Sequence, residues 1–440
     1  MSGACGVNGA LAVGVIGLLM FFGGYPACAA EGAEETVALE PLELPDDFYP
    51  ISTWDPVRGW EGQAPLEEAL EGIAACNFTI AGFATPEELP ACERFGLKAI
   101  VRSEADKGRI KREEWKTLSP EEIDARIKQV VDACGDSPAV LGYYLQDEPG
   151  ATLFPGLAHG VAAVKKYAPG KLAYINLFPG YATIGAPDTS QLETPSFTEY
   201  LEQFVKIVRP QILSYDDYMV QYSMDFAGAP ERRQRYFLDL CEVRRVAKKY
   251  GLPFWNIVSA NQIRPFTTVP SPANMALQAY TTLAAGGRGL SWFTYYVRGY
   301  DYAPINKAGN RTATWQYLQF VNRQVKTLGP YMNRLESTGV YFTEPAPAEG
   351  LDVLPGKLVT SVAADAPVMV GEFESADGTP YIMLVNLSLS GSVKLVVSLA
   401  DGLNAAAQIS PEDTSENPVD VEENLWLPSG QGILIKLARS

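Results

Sequence analysis

Val140-Leu141-Gly142-Tyr143-Tyr144-Leu145-Gln146-Asp147-Glu148-Pro149-Gly150 reads as a short buried strand that ends on two carboxylates and a Pro-Gly stop. Burying acids at the end of an apolar strand costs free energy, so stability alone does not account for them. In a (β/α)8 barrel the C-terminal strand ends open onto the active site. On that architecture Glu148 is the leading catalytic candidate. Alternation along the strand puts Leu141, Tyr143 and Leu145 on one face and Gly142, Tyr144, Gln146 and Glu148 on the other. The apolar set is expected to face the outer helices and the mixed set the barrel interior. Asp147 is then expected on the face turned away from the interior.

Working outward, strand-like and helix-like segments alternate from Phe48 to about Ser337. Strands are expected at Tyr49–Trp54, Phe78–Phe83, Lys98–Val101, Val140–Leu145, Leu172–Asn176, Ile212–Tyr215, Phe254–Val258 and Gly289–Phe293. Helical periodicity is clearest over Pro120–Cys134, Phe197–Val208, Pro230–Tyr250, Ala273–Ala285 and Thr312–Leu335. Ser119-Pro120-Glu121-Glu122 is a helix start: an N-cap serine, proline at the first helical position, then acids facing the helix dipole. Eight βα units fit a closed (β/α)8 barrel better than a doubly wound sheet. No Gly-x-Gly-x-x-Gly follows the first strand, which argues against dinucleotide binding.

Beyond Gly339 the period changes. Pro345, Pro347 and Gly350 mark a linker-like stretch, and short alternating strands follow between turn pairs such as Asp377-Gly378 and Asp401-Gly402. This pattern predicts a small antiparallel β-sandwich. The expected organisation is a secretory signal over 1–30, a flexible acidic leader over 31–46, the barrel over 47–338 and the sandwich over 339–440.

The signal assignment rests on the apolar run Leu11 to Phe22, too short for a comfortable membrane span, followed by Ala27-Cys28-Ala29-Ala30. Cleavage near Ala29 or Ala30 would export the chain and leave no membrane insertion. A lipid anchor on Cys28 is the alternative, though Tyr25-Pro26-Ala27 is a poor match to a lipidation site. The formal net charge is −17, which disfavours nucleic acid as a partner. With one histidine, His159, and no CxxC pair, the usual zinc sets are incomplete, and no metal or organic cofactor is expected. Nothing in the sequence fixes the oligomeric state.

A second strand end carries acids: Ile212-Leu213-Ser214-Tyr215-Asp216-Asp217-Tyr218. Ile212, Ser214 and Asp216 share the face expected to point inward, which favours Asp216 over Asp217. Two carboxylates across a pocket are what glycosidic cleavage needs. One stays protonated and delivers a proton to the leaving oxygen, and the other attacks the anomeric carbon or activates water. Catalytic candidates are therefore Glu148, Asp216 and Asp217. Other strand ends offer groups suited to stacking on a sugar or binding its hydroxyls: Trp54, Asp55, Glu104, Asn176, Tyr215, Tyr218, Asn261, Trp292, Tyr295 and Tyr296. The expected partner is a carbohydrate.

Gly142 to Pro149, Ser214 to Tyr218 and Leu283-Ala284-Ala285-Gly286-Gly287-Arg288-Gly289-Leu290-Ser291-Trp292-Phe293 together resemble the (β/α)8 glycoside hydrolases, particularly β-galactosidase-like members of the large retaining clan. Val370-Gly371-Glu372-Phe373 and Tyr381-Ile382-Met383-Leu384-Val385-Asn386 look like the β-sandwich that follows such barrels. The resemblance implies an exported hydrolase of poly- or oligosaccharides with Glu148 as acid/base. Two departures stand out. Asp147 replaces the clan's usual Asn, and the seventh strand, Trp255-Asn256-Ile257-Val258-Ser259-Ala260-Asn261-Gln262, lacks the clan's nucleophilic Glu. The second acid is then Asp216 or Asp217, or water acts with Asp55 or Glu104. A glycan-binding protein without catalysis, and a barrel enzyme with lyase or metal-assisted chemistry, are the other readings.

Overall fold

The computed structural model describes residues 39–62, 64–104, 107–183, 190–222, 229–423 and 425–439. The expected signal segment, Cys28 included, lies outside the described residues. Eight parallel strands close into a barrel in chain order: β1 (Ile51–Thr53), β2 (Ile80–Ala84), β3 (Lys98–Val101), β4 (Val140–Asp147), β5 (Leu172–Leu177), β6 (Leu213–Asp216), β7 (Phe254–Ser259) and β8 (Leu290–Phe293). Each overlaps a strand expected from alternation. The helices are α1 (Leu66–Ala75), α2 (Leu89–Arg94), α3 (Pro120–Cys134), α4 (Phe154–Tyr167), α5 (Phe197–Val208), α6 (Met219–Tyr222), α7 (Pro230–Lys249), α8 (Pro272–Ala284) and α9 (Ala313–Asn333).

Helix starts follow their capping chemistry. Ser119 Oγ accepts from the Glu122 amide at 3.3 Å, while the Glu122 carboxylate accepts from the Ser119 amide at 2.8 Å. This reciprocal box satisfies donors that the first helical turn leaves open. Ser271 and Asn274 do the same for α8, at 3.2 and 2.9 Å.

The barrel separates two apolar layers. Trp54, Ile80, Phe83, Ile100, Leu172, Tyr174, Ile212, Trp255 and Ile257 fill the interior. Their alternating neighbours, such as Ile51, Ala81, Val101, Leu213 and Val258, pack outward on the helices. Residues 31–46 read as a flexible leader, but from residue 39 the chain is packed. Leu42 donates its amide to the Gln211 carbonyl at 3.0 Å, and Leu42, Leu44 and Phe48 join the interior apolar layer. Gln211 precedes β6, so this segment covers the N-terminal end of the barrel, opposite the acids.

After the barrel come β9 (Leu335–Phe342), β10 (Val359–Ala364), β11 (Val368–Ser375), β12 (Pro380–Asn386), β13 (Val393–Leu399), β14 (Leu403–Ile409), β15 (Glu416–Asn417), β16 (Leu425–Leu427) and β17 (Gly432–Arg439). A six-stranded sheet, ordered β15-β14-β17-β12-β11-β9, faces a three-stranded sheet, ordered β10-β13-β16, and all pairs are antiparallel. Val370, Ile382, Leu384, Leu395, Val397, Leu425 and Ile435 form the apolar layer between them. The six-stranded sheet begins at Leu335, a few residues before the boundary expected from composition.

Helix α8 joins the two parts. Every residue from Asn274 to Ala284 is buried, because the helix packs on the barrel with one side and on β11, β12 and β17 with the other. Gly371 makes this approach possible, since a Cβ there would overlap the Ala284 carbonyl. Cys76, Cys92, Cys134 and Cys241 are free thiols. Among the described residues, no helix is long and apolar enough to cross a membrane.

Candidate active site

Strand β4 does not run with a single alternation. Its pairing slips once between Ala99/Val140 and Ile100/Gly142, and again between Tyr144/Tyr174 and Gln146/Ile175. Each slip inserts one residue and turns the following side chains to the other face. Tyr143 and Leu145 face the helices and Tyr144 the interior, as alternation predicts. Leu141 also faces the interior, contrary to the expectation. After the second slip Gln146 aligns with outward-facing Ile175, and Asp147 with inward-facing Asn176. Asp147 therefore points into the barrel mouth, not away from it. Glu148 then leaves strand geometry with φ 45°, and its amide donates to the Asn176 carbonyl at 2.8 Å. Left-handed backbone is uncommon for a residue with a Cβ. Here it keeps Glu148 at the mouth directly after an inward-facing residue.

Asn176, at the end of β5, connects the acids. Its side-chain Nδ2 donates to Asp147 Oδ1 at 3.1 Å and to Asp216 Oδ1 at 2.9 Å, while its Oδ1 accepts from Ser214 Oγ at 3.2 Å. Asp216 ends β6 on the inward face, with 1% of its surface exposed. Its Oδ2 is buried without a hydrogen-bond partner, and the Glu148 carboxyl lies near enough to act on it electrostatically. Two neighbouring carboxyls withdrawn from water disfavour each other's ionisation. Burial first, and the neighbouring Asp147 charge second, push the Glu148 carboxyl up to about 7. Burial and the charge of Glu148 raise Asp216 well above the usual carboxylate range. Burial also raises Asp147, against the pull of Asn176 and the guanidinium groups of Arg112, Arg298 and Arg102. Arg112 ties down the turn itself, donating to the Asp147 and Glu148 carbonyls at 3.1 and 2.6 Å.

Asp217 belongs to a different environment. Its Oδ1 accepts from the Met219 amide at 2.7 Å, and its carboxyl neighbours that of Asp239 on α7, outside the barrel wall. Asp239 in turn accepts from the Gly180 amide at 2.8 Å. Asp55 is buried and saturated. Trp60 Nε1 donates to it at 2.6 Å, and the amides of Tyr295 and Tyr296 at 2.5 and 3.3 Å, so it clamps the loop after β1 to the loop after β8. Glu104 is exposed and lies 3.9 Å from Lys107. Asp216 is thus the β6 acid that the structure brings to Glu148, and Asp217, Asp55 and Glu104 are engaged elsewhere.

The neutral candidates divide in the same way. Trp54 points inward against Phe83 and Tyr174, with ring centroids 4.8 and 5.7 Å apart. Tyr218 stacks on Phe293 at 4.8 Å, and Phe293 meets Tyr300 edge-on at 5.4 Å. Tyr215 faces outward into the helix layer. Trp292 also faces outward, its Nε1 donating to Asn322 Oδ1 of α9 at 2.8 Å. Tyr295 accepts from Trp315 Nε1 at 2.9 Å, and Tyr296 donates to the Val57 carbonyl at 3.0 Å, so neither ring faces the acids. Asn261 bonds Thr294 Oγ1 at 3.0 Å and accepts from Ser259 Oγ at 3.2 Å. The end of β7 is thereby a neutral amide and hydroxyl network.

The residue list from the sequence omits Phe293, Tyr144, Trp60, Arg102, Arg112 and Arg298. Arg102 and Phe293 had a usable signal, since Arg102 follows β3 directly and Phe293 closes β8. Tyr144 had one too, as an inward-facing residue of β4, whereas Trp60, Arg112 and Arg298 lie between the strands, in stretches whose course is set by distant contacts. Among the described residues, no group of three His, Cys, Asp or Glu is arranged to hold a metal ion.

No family model matches the chain, and no curated protein does. Among solved structures the chain is similar to an endo-β-1,4-mannanase from Thermotoga petrophila, at 11% identity and a TM-score of 0.45, covering 80% of this chain and 97% of that one. It is also similar to a β-galactosidase from the psychrophilic Marinomonas ef1, at 10% identity and 0.46, covering 64% of this chain and 60% of that one. A third is a GH5_18 variant from Streptomyces cattleya in complex with Manb1-4GlcNAc, at 13% identity and 0.48, covering 64% of this chain and 81% of that one.

Proposed function

We propose that this chain is an exported glycoside hydrolase acting on a poly- or oligosaccharide, with Glu148 as proton donor and Asp216 as its neighbouring partner. The observation that carries the reading is the placing of two neighbouring carboxyls, half-buried Glu148 and buried Asp216, at the open end of a closed barrel. A carboxyl raised to about 7 is still substantially protonated near neutral pH, which is what a general acid for a leaving alkoxide requires. Tyr218, Phe293 and Tyr300 supply aromatic faces beside it. Export rests on the sequence of residues 1–30 alone.

In this reading the Glu148 O–H bond breaks as its proton passes to the glycosidic oxygen. The bond from that oxygen to the anomeric carbon breaks with it, and a water oxygen takes its place on carbon. The water's spare proton leaves to solvent, and the acid pair is reprotonated from solvent. Asp216 neighbours Glu148, is almost fully buried and is bonded to Asn176, which suits a partner of the donor better than an exposed nucleophile. Its role here is to position and tune the donor, not to attack the sugar.

The neutral end of β7 favours a second reading, a glycan-binding protein without catalysis. One experiment separates the two: release of reducing ends from a broad polysaccharide panel by wild type and Glu148→Gln. Cleavage by wild type with a loss of about 100-fold or more in the variant supports the hydrolase. Equal cleavage by both removes Glu148 as the acid. Binding without cleavage, the same in both proteins, supports the second reading.

A further inference from the structure

The chain carries a formal charge of −17, yet arginines crowd one side of the barrel mouth. Arg298, from the loop after β8, lies 3.8 Å over the Trp60 ring, and Arg102, at the end of β3, lies 5.0 Å from the same ring. Arg102 also lies 5.6 Å from the ring of Tyr144, the inward residue of β4. Trp60 is fixed by its bond to buried Asp55, so the two guanidinium groups are held against a rigid plate. Arg109 and Arg298 both press electrostatically on Arg102, which places the three charges near one another. Like charges gathered this closely repel, and nothing in packing alone calls for them.

Among the described residues, Arg102, Arg109 and Arg298 form no ion pair within 4.0 Å and donate no side-chain hydrogen bond. Two carboxyls lie near them: Asp147, which Arg112, Arg298 and Arg102 all act upon, and buried Asp55, which Arg298 acts upon. Asp147 is already bonded to Asn176, and Asp55 to Trp60 and the amides of Tyr295 and Tyr296. Donor forks are left open beside the acid pair. A guanidinium fork matches the planar oxygens of a carboxylate or the oxygens of a sulfate, and stacking on an indole holds it in place for that use.

We propose that Arg102, Arg298 and Trp60 form a subsite for an anionic group, a carboxylate or a sulfate ester, on the sugar that enters beside Glu148. This rests on the glycan-directed reading above and names its substrate class as acidic glycans. The net charge of the protein makes the inference sharper. A chain at −17 repels polyanions at long range, so a preference for an acidic glycan has to come from a local site.

The test compares matched probes by intrinsic tryptophan fluorescence and calorimetry on the full chain. One pair is an oligogalacturonate and the same oligomer fully methyl-esterified; the other is a carrageenan oligomer and its desulfated form. The expected result is that one acidic member binds about ten-fold tighter or better than its neutral partner. The responding pair tells carboxylate from sulfate. Exposed Arg298→Gln, which disturbs no internal hydrogen bond, should erase most of that preference, as should Arg102→Gln. For the neutral members the two substitutions should cost less affinity than for the acidic one. Equal affinity for acidic and neutral partners overturns the subsite while leaving glycan hydrolysis standing, as does a preference that survives both substitutions. Failure of every member to bind overturns the subsite too, and if the wider panel is neither bound nor cut, the glycan-directed reading falls with it.

Discussion

Replacing Glu148 by Gln should stabilise the protein above neutral pH and leave its stability unchanged near pH 4.5. The fold holds this carboxyl with a pKa of about 7, against 4.5 for an unburied glutamate. Between those two values the native state binds more protons than the unfolded one, so its stability falls as pH rises. Below the lower value both states are protonated and nothing is lost. Above the upper value both are ionised and the deficit is constant. At about 1.4 kcal/mol per pH unit the gap is worth on the order of 3 kcal/mol. Glutamine is neutral throughout, so the variant escapes the deficit. Its amide can also donate to Asp216, which is left without its nearest like charge. For a chain of 440 residues, 3 kcal/mol corresponds to roughly 3 °C in melting temperature. Thermal or urea melts of both proteins at pH 4.5, 6 and 8 read this out. The raised values of Asp55 and Asp217 are common to both proteins and cancel. A difference that stays constant with pH, or a variant less stable at pH 8, would refute the assignment of Glu148 as a half-buried carboxyl with a raised pKa.

If the pair works as one unit, Asp216→Asn should cost nearly as much kcat as Glu148→Gln. The double variant should be little worse than either, a non-additivity that steady-state kinetics on a cleaved substrate would measure. Trp292→Phe should behave oppositely. Its indole bonds Asn322 outside the barrel wall, so losing it leaves a buried acceptor unpaired and costs about 1–3 kcal/mol in urea unfolding, with KM unchanged.

The barrel itself was legible because each strand alternates over its own few residues and each helix begins on a local cap. Ser119 with Glu122 and Ser271 with Asn274 need only neighbours in the chain to define where α3 and α8 start. The strands β9, β15 and β16 were not singled out, and the last two are very short. The start of strand β9 reads as the end of a helix, because Leu335 continues the spacing of α9 until pairing with β11 takes over. The packed stretch from residue 39 was hidden in the same way. Its acidic, proline-bearing composition suggests a leader, and only the Gln211 carbonyl and the barrel floor give Leu42 somewhere to go.

The site was legible where a strand stays regular and not where it slips. On β6, Ile212, Ser214 and Asp216 keep one phase, so the inward acid and the outward one, Asp217, separate as alternation requires. On β4, two slips in pairing reset the phase, and those slips are fixed by β3 and β5, far away in sequence. Their effect is chemical. Regular alternation would have sent Asp147 to the helices. The second slip brings it inward beside Asn176, and the left-handed turn at Glu148 then keeps the next residue at the mouth as well. Two adjacent acids thus share one mouth, which a straight strand cannot achieve. Asp147 stands among guanidiniums that favour its charge, while burial and the Asp147 charge push the Glu148 carboxyl up to about 7. One irregular strand end therefore supplies both an anionic anchor for the arginines and the acid proposed to break the glycosidic bond.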